Sequence, residues 1–333
     1  MALGVVVPIM VDLLRNGPSG TASLENALEL DSVTKRFGKY VAVDSLSFQV
    51  PKGTIFGFLG PNGSGKTTTM RMIMSIFYPD EGRISVLGHP RSEEVKDRLG
   101  YLPEEKGLYK KMKTGEIIAY FGMLKGLDKH TAYTRAKQLL TKYGLGDWFD
   151  KKCETMSKGM GQKIQLLGTL IHDPELVILD EPFSGLDPVN MEVMRDTILD
   201  IKRQGKTVIF STHVMAQAEE ICDHIFLIFK GKKKLEGSLA ELKRGGPRAI
   251  KLDYVGDASF LKAMPVVERV NDAGQSAEIY LREGADSQAF LRDIVGRLVV
   301  RRFDLREPSL HEIYVRTVGP EAAIVEGTRG EAI

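Results

Sequence analysis

One stretch constrains this chain more than any other: Thr54-Ile55-Phe56-Gly57-Phe58-Leu59-Gly60-Pro61-Asn62-Gly63-Ser64-Gly65-Lys66-Thr67-Thr68. Its first half is an apolar, aromatic-rich run that reads as a buried strand. The run breaks into glycines, and Lys66-Thr67-Thr68 then opens a helical pattern. Gly60 to Thr67 fits G-x-x-x-x-G-K-[ST], a phosphate-binding loop. Glycines let consecutive backbone N–H groups turn inward as an anion nest, and the helix N-terminus adds its partial positive charge. Gly60, Pro61, Asn62, Gly63, Ser64, Gly65, Lys66, Thr67 and Thr68 are the expected phosphate seat. Lys66 can reach the β- and γ-phosphates, and the Thr67 hydroxyl can ligate Mg²⁺. A match of this length arises by chance in about one chain in a hundred of this size. A Gly-rich turn with an incidental lysine would not need a strand before it and a helix after it. The stretch implies a nucleoside triphosphate as ligand.

The rest of the composition sets bounds. The 333 residues are enough for two domains, one larger than the other. A formal net charge of +2 demands neither nucleic acid nor a strongly anionic surface as partner. Cys153 and Cys222 lie far apart with no C-x-x-C spacing, which favours a reducing compartment and two small buried apolar residues. No run of 18 or more apolar residues exists, so the chain is not expected to span a membrane by itself. Residues 1–25 form a separate, disordered N-terminal extension on this reading. Ala2 to Leu14 is mostly apolar but holds Pro8 and Asp12 and has no basic residue before it, unlike a signal peptide.

Along the chain, Ala27 to Val33 and Ser45 to Val50 alternate as strands, with Pro51-Lys52-Gly53 turning into the phosphate-loop strand. Between them lies Lys35 to Tyr40, where an aromatic could stack on a purine: Phe37 is the first choice and Tyr40 the second. From Pro90 to about Met156 helical signals take over. Asp128 can cap a helix carrying Tyr133, Ala136, Leu139, Leu140 and Tyr143 on one stripe, with Gly144 as its stop. Leu176 to Leu179 and Thr207 to Phe210 are unbroken apolar runs, as expected of parallel strands covered on both faces. Ile225 to Phe229 is another strand, and Lys232-Lys233-Lys234 reads as the solvated tip of its hairpin. From about Gly245 a second unit begins. Strands at Ile250–Tyr254, Val267–Asn271, Ala277–Arg282 and Val299–Leu305 alternate with helices at Ala258–Met264 and Asp286–Gly296, the latter carrying Phe290, Leu291 and Val295 on one side. The order β-α-β-β-α-β predicts a small ferredoxin-like sandwich, followed by a last helix over Ser309–Val315 and a frayed tail from Gly319.

Two further groups carry chemistry. Leu176 to Leu179 ends in Asp180 and Glu181. Beside a phosphate loop, an acid at such a strand end holds Mg²⁺ through its water shell, which fits Asp180. An adjacent glutamate can orient and deprotonate the attacking water, which fits Glu181. Ser211-Thr212-His213 closes the next buried strand at the edge where parallel sheets bind ligands, so His213 can contact the γ-phosphate or hold the water. Met156-Ser157-Lys158-Gly159-Met160 precedes a helix; Ser157 can cap it and leave N–H groups near Gly159 for an anion.

With these residues in hand, the chain resembles the nucleotide-binding subunit of an ABC transporter. Gly60–Thr67 matches the Walker A motif, Leu176–Glu181 the Walker B motif, Ser184-Gly185-Leu186-Asp187 the D-loop and His213 the switch histidine. Met156–Met160 stands in the place of the L-S-G-G-Q signature, with Lys158 and Met160 departing from it and Ser157 and Gly159 kept; Phe37 falls at the adenine-stacking position. The motifs cover roughly Ala27 to Ser238, and the second unit resembles the C-terminal domain of exporter ATPases of the sodium-extrusion and multidrug type. Where the family usually has a glutamine after the strand at Gly100–Pro103, this chain has Glu104, a third carboxylate near the metal.

The resemblance implies an α/β fold: an ABC cassette of the P-loop NTPase class, with a mixed sheet core and a helical subdomain, followed by a small α+β domain. The implied bounds are 26–240 for the cassette, about 90–156 for its helical part, 245–318 for the accessory domain and 319–333 for a flexible tail. It implies ATP and Mg²⁺ as cofactors. Glu181, His213 and Lys66 are the catalytic set; Thr67, Asp180 and Glu104 face the metal; Ser157, Gly159 and Asp187 face the nucleotide of a second subunit. The partners are an integral membrane permease and a second copy or homologous ATPase, with the chain peripheral on the cytoplasmic face and no nucleic acid. The rival is a soluble ABC-type ATPase acting on DNA or ribosomes. Such proteins usually carry two cassettes or long coiled-coil insertions, and this chain has one compact cassette and no basic surplus. A purely regulatory nucleotide switch would not need Glu181 and His213.

Overall fold

The computed structural model describes residues 25–329 apart from 106, 246–248 and 283, and gives only the backbone course of 320–329. The extension expected over 1–25 therefore lies outside the described residues but for Glu25.

A hairpin opens the fold. β1 (Asn26–Phe37) and β2 (Tyr40–Pro51) pair antiparallel with Phe37 opposite Tyr40. Lys35 to Tyr40 is thus the hairpin end rather than a link between two shorter strands. The ladder runs right up to a two-residue turn in which Gly38 takes a left-handed φ of 59°, a conformation that only a residue without Cβ adopts freely. β3 (Ile55–Leu59) is buried at every position and leads through the glycine loop into α1 (Lys66–Ile73). β4 (Glu81–Val86) then joins β1 on its other side to complete a three-stranded antiparallel sheet.

A second sheet is built from β5 (Leu99–Leu102), β6 (Leu176–Asp180), β7 (Thr207–Thr212), β8 (His224–Phe229) and β9 (Lys232–Ser238) with β3 among them, in the order β5-β6-β7-β3-β8-β9. All neighbours are parallel except β9, which returns antiparallel on β8. β6 and β7 are buried throughout, as their unbroken apolar runs require. The tip of the last hairpin is Lys230-Gly231, both at positive φ; Lys232 to Lys234 is not the tip but the start of β9, where Lys232 pairs with Phe229.

The two sheets meet on aromatic rings. Phe226 lies 4.6 Å from Phe48 and 5.0 Å from Phe58, centroid to centroid, and Phe56 stacks on Phe48 at 5.6 Å. The other face of the large sheet is covered by α5 (Pro188–Arg203) and α6 (Met215–Ile221) through Met194, Ile198, Ile201, Ala218 and Ile221.

Between β5 and β6 the chain makes three helices, α2 (Thr114–Leu124), α3 (Lys129–Lys142) and α4 (Lys158–Leu170). Asp128 caps α3 by accepting the Thr131 N–H at 3.0 Å. Ala132, Ala136 and Leu140 turn inward onto Ile117 and Ile118 of α2 and Ile164 and Leu167 of α4, while Tyr133, Leu139 and Tyr143 sit at the margin. The helical packing therefore runs past Met156 to Ile171, because α4 supplies its third wall.

After α7 (Leu239–Gly245) the C-terminal unit comprises β10 (Ala249–Val255), β11 (Val267–Asp272), β12 (Ser276–Leu281), α8 (Ser287–Val295) and β13 (Val299–Arg306). Its antiparallel order β11-β12-β10-β13 is that of the split β-α-β sandwich. The first helical segment, expected over Ala258–Met264, is a single 3-10 turn at Ser259–Ala263. In α8 the core positions are Phe290 and Ile294, one turn apart, and Val295 points outward at 56% exposure, a 100° step away from the stripe expected for it. The final helix α9 (Leu310–Arg329) does not stop at Val315 or fray at Gly319. Leu310 and Val318 are buried against the cassette, and Glu219 of α6 accepts the Leu310 N–H at 3.0 Å, so packing holds the helix as far as Val318, just before the glycine.

We predict that Phe226→Ala, which empties the centre of the inter-sheet aromatic cluster, lowers stability by about 3–5 kcal/mol. The check is the denaturant midpoint at unchanged m-value; a shift below about 1 kcal/mol would mean that the sheets are held elsewhere.

Candidate active site

Three neighbouring strand ends bring the chemistry together. β3 delivers the phosphate loop, β6 delivers Asp180 and Glu181, and β7 delivers His213. The loop's shape is dictated by close approach. Gly65 holds a φ of 108°, and a Cβ there would meet the Ala42 carbonyl oxygen at 2.5 Å; a Cβ on Gly60 would strike the Ile228 carbonyl. The loop is tied down by the Gly60 N–H donating to the Thr212 carbonyl at 3.3 Å and by the Gly231 N–H donating to the Ser64 carbonyl at 2.9 Å.

Lys66 is 5% exposed, and its ammonium donates to the carbonyls of Gly60 at 2.8 Å and Pro61 at 3.3 Å. It also lies 3.3 Å from a Glu181 carboxylate oxygen. The other face of that carboxylate meets His213, whose Nδ1 is 3.1 Å from both Glu181 oxygens. Glu181 reaches both partners because its backbone takes a left-handed φ of 50°, fixed by its N–H donating to the Ser211 hydroxyl at 3.0 Å. Such a conformation costs a non-glycine residue about 1–3 kcal/mol and is found where a side chain must be aimed.

Asp180 lies beneath this pair and is 1% exposed. Its carboxyl is pushed above its ordinary range by burial, against hydrogen bonds from the Ser211 and Thr67 hydroxyls that favour the ionised form. One of its oxygens, Oδ2, is buried with no hydrogen-bond partner, and so is the Ser64 hydroxyl. An orphaned carboxylate oxygen beside the Thr67 hydroxyl is the oxygen donor set that Mg²⁺ takes. Among the described residues no group of three or more His, Cys, Asp or Glu could hold a metal, so a cation here would need phosphate and water as its remaining ligands.

These residues wall a cleft of about 290 Å³ lined by Tyr40, Asn62, Lys66, Thr67, Glu104 and Glu181, with Ala42, Gly63, Gly65 and Thr68 completing it. Glu104 contributes an exposed carboxylate to the wall. Phe37 does not line the cleft. Its ring packs edge-on against Phe77 at 5.6 Å with Lys35 Nζ 5.7 Å from its centroid, an apolar partner on the far side of the hairpin end. Tyr40, the second choice on sequence, does line it, with its hydroxyl 3.4 Å from the Gly63 carbonyl.

Ser157, Gly159 and Asp187 do not line the cleft either. They form a cluster of their own. Ser157 caps α4 by accepting the Met160 N–H at 3.3 Å, and Asp187 caps α5 by accepting the Asn190 N–H at 3.1 Å. The two caps touch: a Cβ on Gly159 would lie 2.5 Å from the Asn190 side chain, which donates to the Asp187 carboxylate. Lys158 reaches back over Gly185. The motifs thus divide into an ATP cleft and a second patch at two adjoining helix N-termini.

Comparison with known proteins places the chain in a family. The ABC transporter family profile matches residues 43–184, and a profile for the C-terminal domain of DrrA1-3-like ATP-binding proteins matches residues 237–318. The chain is 40% identical over 293 residues to the ABC transporter ATP-binding protein YhaQ of Bacillus subtilis (strain 168), covering 88% of this chain and 98% of that protein. It is 33% identical over 302 residues to the Nod factor export ATP-binding protein I of Rhizobium sp. (strain N33), covering 89% and 98%. A solved structure of the ATP-binding subunit of an ABC transporter superposes with a TM-score of 0.59 at 29% identity, over 66% of this chain and 92% of that one. With the phosphate loop, the acid pair and the histidine assembled at one sheet edge, the chain belongs to the ABC transporter family, as an ATP-binding subunit whose ATPase activity is coupled to transport.

Proposed function

We propose that this subunit drives export, working as a pair of identical or homologous copies on the cytoplasmic face of the membrane through a separate permease. The observation that carries the chemical part is the placement of Glu181, 3.3 Å from Lys66 and 3.1 Å from His213 beside the glycine loop. Bound ATP would lay its phosphates on the loop N–H groups and draw the Lys66 ammonium off the Gly60 and Pro61 carbonyls. Lys66 leaving Glu181 frees that carboxylate to accept a proton from the attacking water, with His213 holding the carboxylate from the other side. Thr67 and Asp180 would hold Mg²⁺, with Glu104 on the cleft wall. That ion neutralises charge developing on the transferred phosphoryl group.

The cleft presents no group from Ser157, Gly159 or Asp187, although those residues stand at helix N-termini suited to anions. A second copy, turned head to tail, would supply that patch over the phosphates and close the site. Export is supported by the relative named for Nod factor export, which aligns along nearly its whole length.

No helix among the described residues is long and apolar enough to cross a membrane, so transport needs a membrane partner. A groove of about 370 Å³ between the large sheet and the helical layer fits an apolar segment of that permease. Tyr101, Leu102, Pro103, Phe121 and Leu124 line it. Its basic groups are turned away from such a segment: burial pushes His172 down to about 4, leaving it neutral, and the Lys125 ammonium is spent on the carbonyls of Lys96 and Leu99.

Three outcomes are predicted. Glu181→Gln lowers turnover by about 10²- to 10⁴-fold and accumulates a dimer in ATP with Mg²⁺; if light scattering finds only monomer, either the paired arrangement or the role of Glu181 is wrong. Tyr40→Ala weakens binding of a fluorescent ATP analogue by about tenfold, as expected for loss of one ring–base stack, and Phe37→Ala leaves it within twofold; the reverse order would restore Phe37 as the stacking residue. Leu124→Glu, a change at a site 65% exposed, abolishes co-purification with the permease while the isolated subunit keeps its ATPase rate; an undisturbed complex moves the docking surface away from the groove.

A further inference from the structure

The largest of the clefts described lies far from the ATP chemistry, where the cassette meets the C-terminal unit. It encloses about 760 Å³, within the range of sites that take small organic ligands, and it sits at a junction between two units where such sites concentrate. β9 and α7 form one wall through Leu235 and Leu242. The C-terminal sheet forms the second through Leu281 and Leu305, and α9 the third through Ile313. Leu305 is exposed and Leu235 and Leu242 are half-buried, while Leu281 and Ile313 are buried, so part of this apolar lining is left uncovered by the protein itself.

Charge stands at the rim of this lining. Arg244, Arg282 and Arg316 all line the cleft, against Glu241 and Glu268. Glu241 is already engaged: its carboxyl is held below the usual carboxylate range by the Ser238 hydroxyl and N–H and, more weakly, by Arg244. Arg282 uses its Nε on the Pro265 carbonyl at 2.9 Å, which orients the guanidinium. Arg316 makes no hydrogen bond or ion pair among the described residues. One oriented guanidinium, that of Arg282, and the unpaired guanidinium of Arg316 thus line the cleft with one unengaged carboxylate, that of Glu268, beside the apolar walls. A guanidinium presents paired N–H donors that match carboxylate and phosphate oxygens.

We propose that this cleft is a binding site for a small amphiphilic anion, with a carboxylate or phosphate head on Arg282 and Arg316 and an alkyl body against Leu235, Leu242, Leu281 and Leu305. The head alone would be held only by exposed guanidinium groups, and the body alone would have no fixed orientation, so the site selects for both on one molecule. The chemistry is shared by free monomeric anions and by anionic lipids, and the cleft's enclosure on three sides assigns the monomer.

The test is calorimetric titration of the full-length protein with decanoate and decyl phosphate, each kept monomeric, beside inorganic phosphate, decyltrimethylammonium and phosphatidylglycerol vesicles. Saturable one-to-one binding of the two decyl anions is expected, with no binding of the cation or inorganic phosphate at equal concentration. Arg282→Gln with Arg316→Gln should weaken it by tenfold or more while ATP binding stays unchanged, which shows that the fold and the distant nucleotide cleft are intact. Leu242→Asp, at the apolar wall, should also weaken it. Binding that survives both sets of changes, inorganic phosphate binding as tightly as decyl phosphate, or capture by vesicles without binding of the monomers would overturn the proposal.

Discussion

An ammonium and a carboxylate, each more than nine-tenths out of water, share the edge of a parallel sheet: Lys66 and Glu181. Taking two such ions from water costs several kcal/mol each, and their mutual attraction repays this only when further hydrogen bonds satisfy the rest of each group. Here the carbonyls of Gly60 and Pro61 and the imidazole of His213 do that. Asp180, directly below, keeps one oxygen without any partner. The sheet is built around charges that a polyphosphate and a cation would satisfy better than the protein does. That is why β3, β6 and β7 must be neighbours: a different strand order would leave one of these ions buried alone.

Close backbone approach makes the arrangement possible. The phosphate loop is pressed between the Ala42–Val43 segment of β2 and the Ile228 end of β8, with room for hydrogen atoms and not for methyl groups at Gly60 and Gly65. The left-handed turn at Glu181 is the complementary device. Where glycine relieves crowding, Glu181 accepts strain in exchange for aim, and the Ser211 hydroxyl holds it there. The same Ser211 hydroxyl donates to Asp180, so one side chain at the end of β7 sets the positions of both acids.

What could be read from residues alone follows the range of the physics involved. The glycine loop, the buried strands and the Asp128 cap are local: each depends on neighbours within a few positions, and spacing reveals them. Which of Phe37 and Tyr40 lines the cleft is not local. It turns on Phe77, forty residues along, which offers Phe37 an apolar partner outside the cleft. The continuation of α9 from Val315 to Val318 is equally remote, since Leu310 and Val318 pack on a cassette surface around Glu219. Val295 and Ile294 differ by one position, and only the packing of the sheet decides which of two valid stripes is buried. The contact between Gly159 and Asn190 had a sequence signal, a glycine early in a helix, but its partner could not be named without the fold.

The link between the two ends of the molecule is β9. At its start, the Lys230-Gly231 turn donates an N–H to the Ser64 carbonyl of the phosphate loop; Leu235, further along, walls the large cleft beside the C-terminal unit. Continuity of a strand is not coupling. A ligand in that cleft changes the nucleotide site only if it binds the ATP-loaded and empty forms with different affinity, and the converse must then hold to the same degree. The structure limits where such a difference could arise. One set of walls comes from β9, which pairs with β8, and from α7 after it; the other comes from β12, β13 and α9. Only a nucleotide-driven shift of one set against the other would alter the cleft. The Glu219 contact to the Leu310 N–H would have to slide or break for that, which makes α6, placed directly after His213, an element through which the two sites can feel each other.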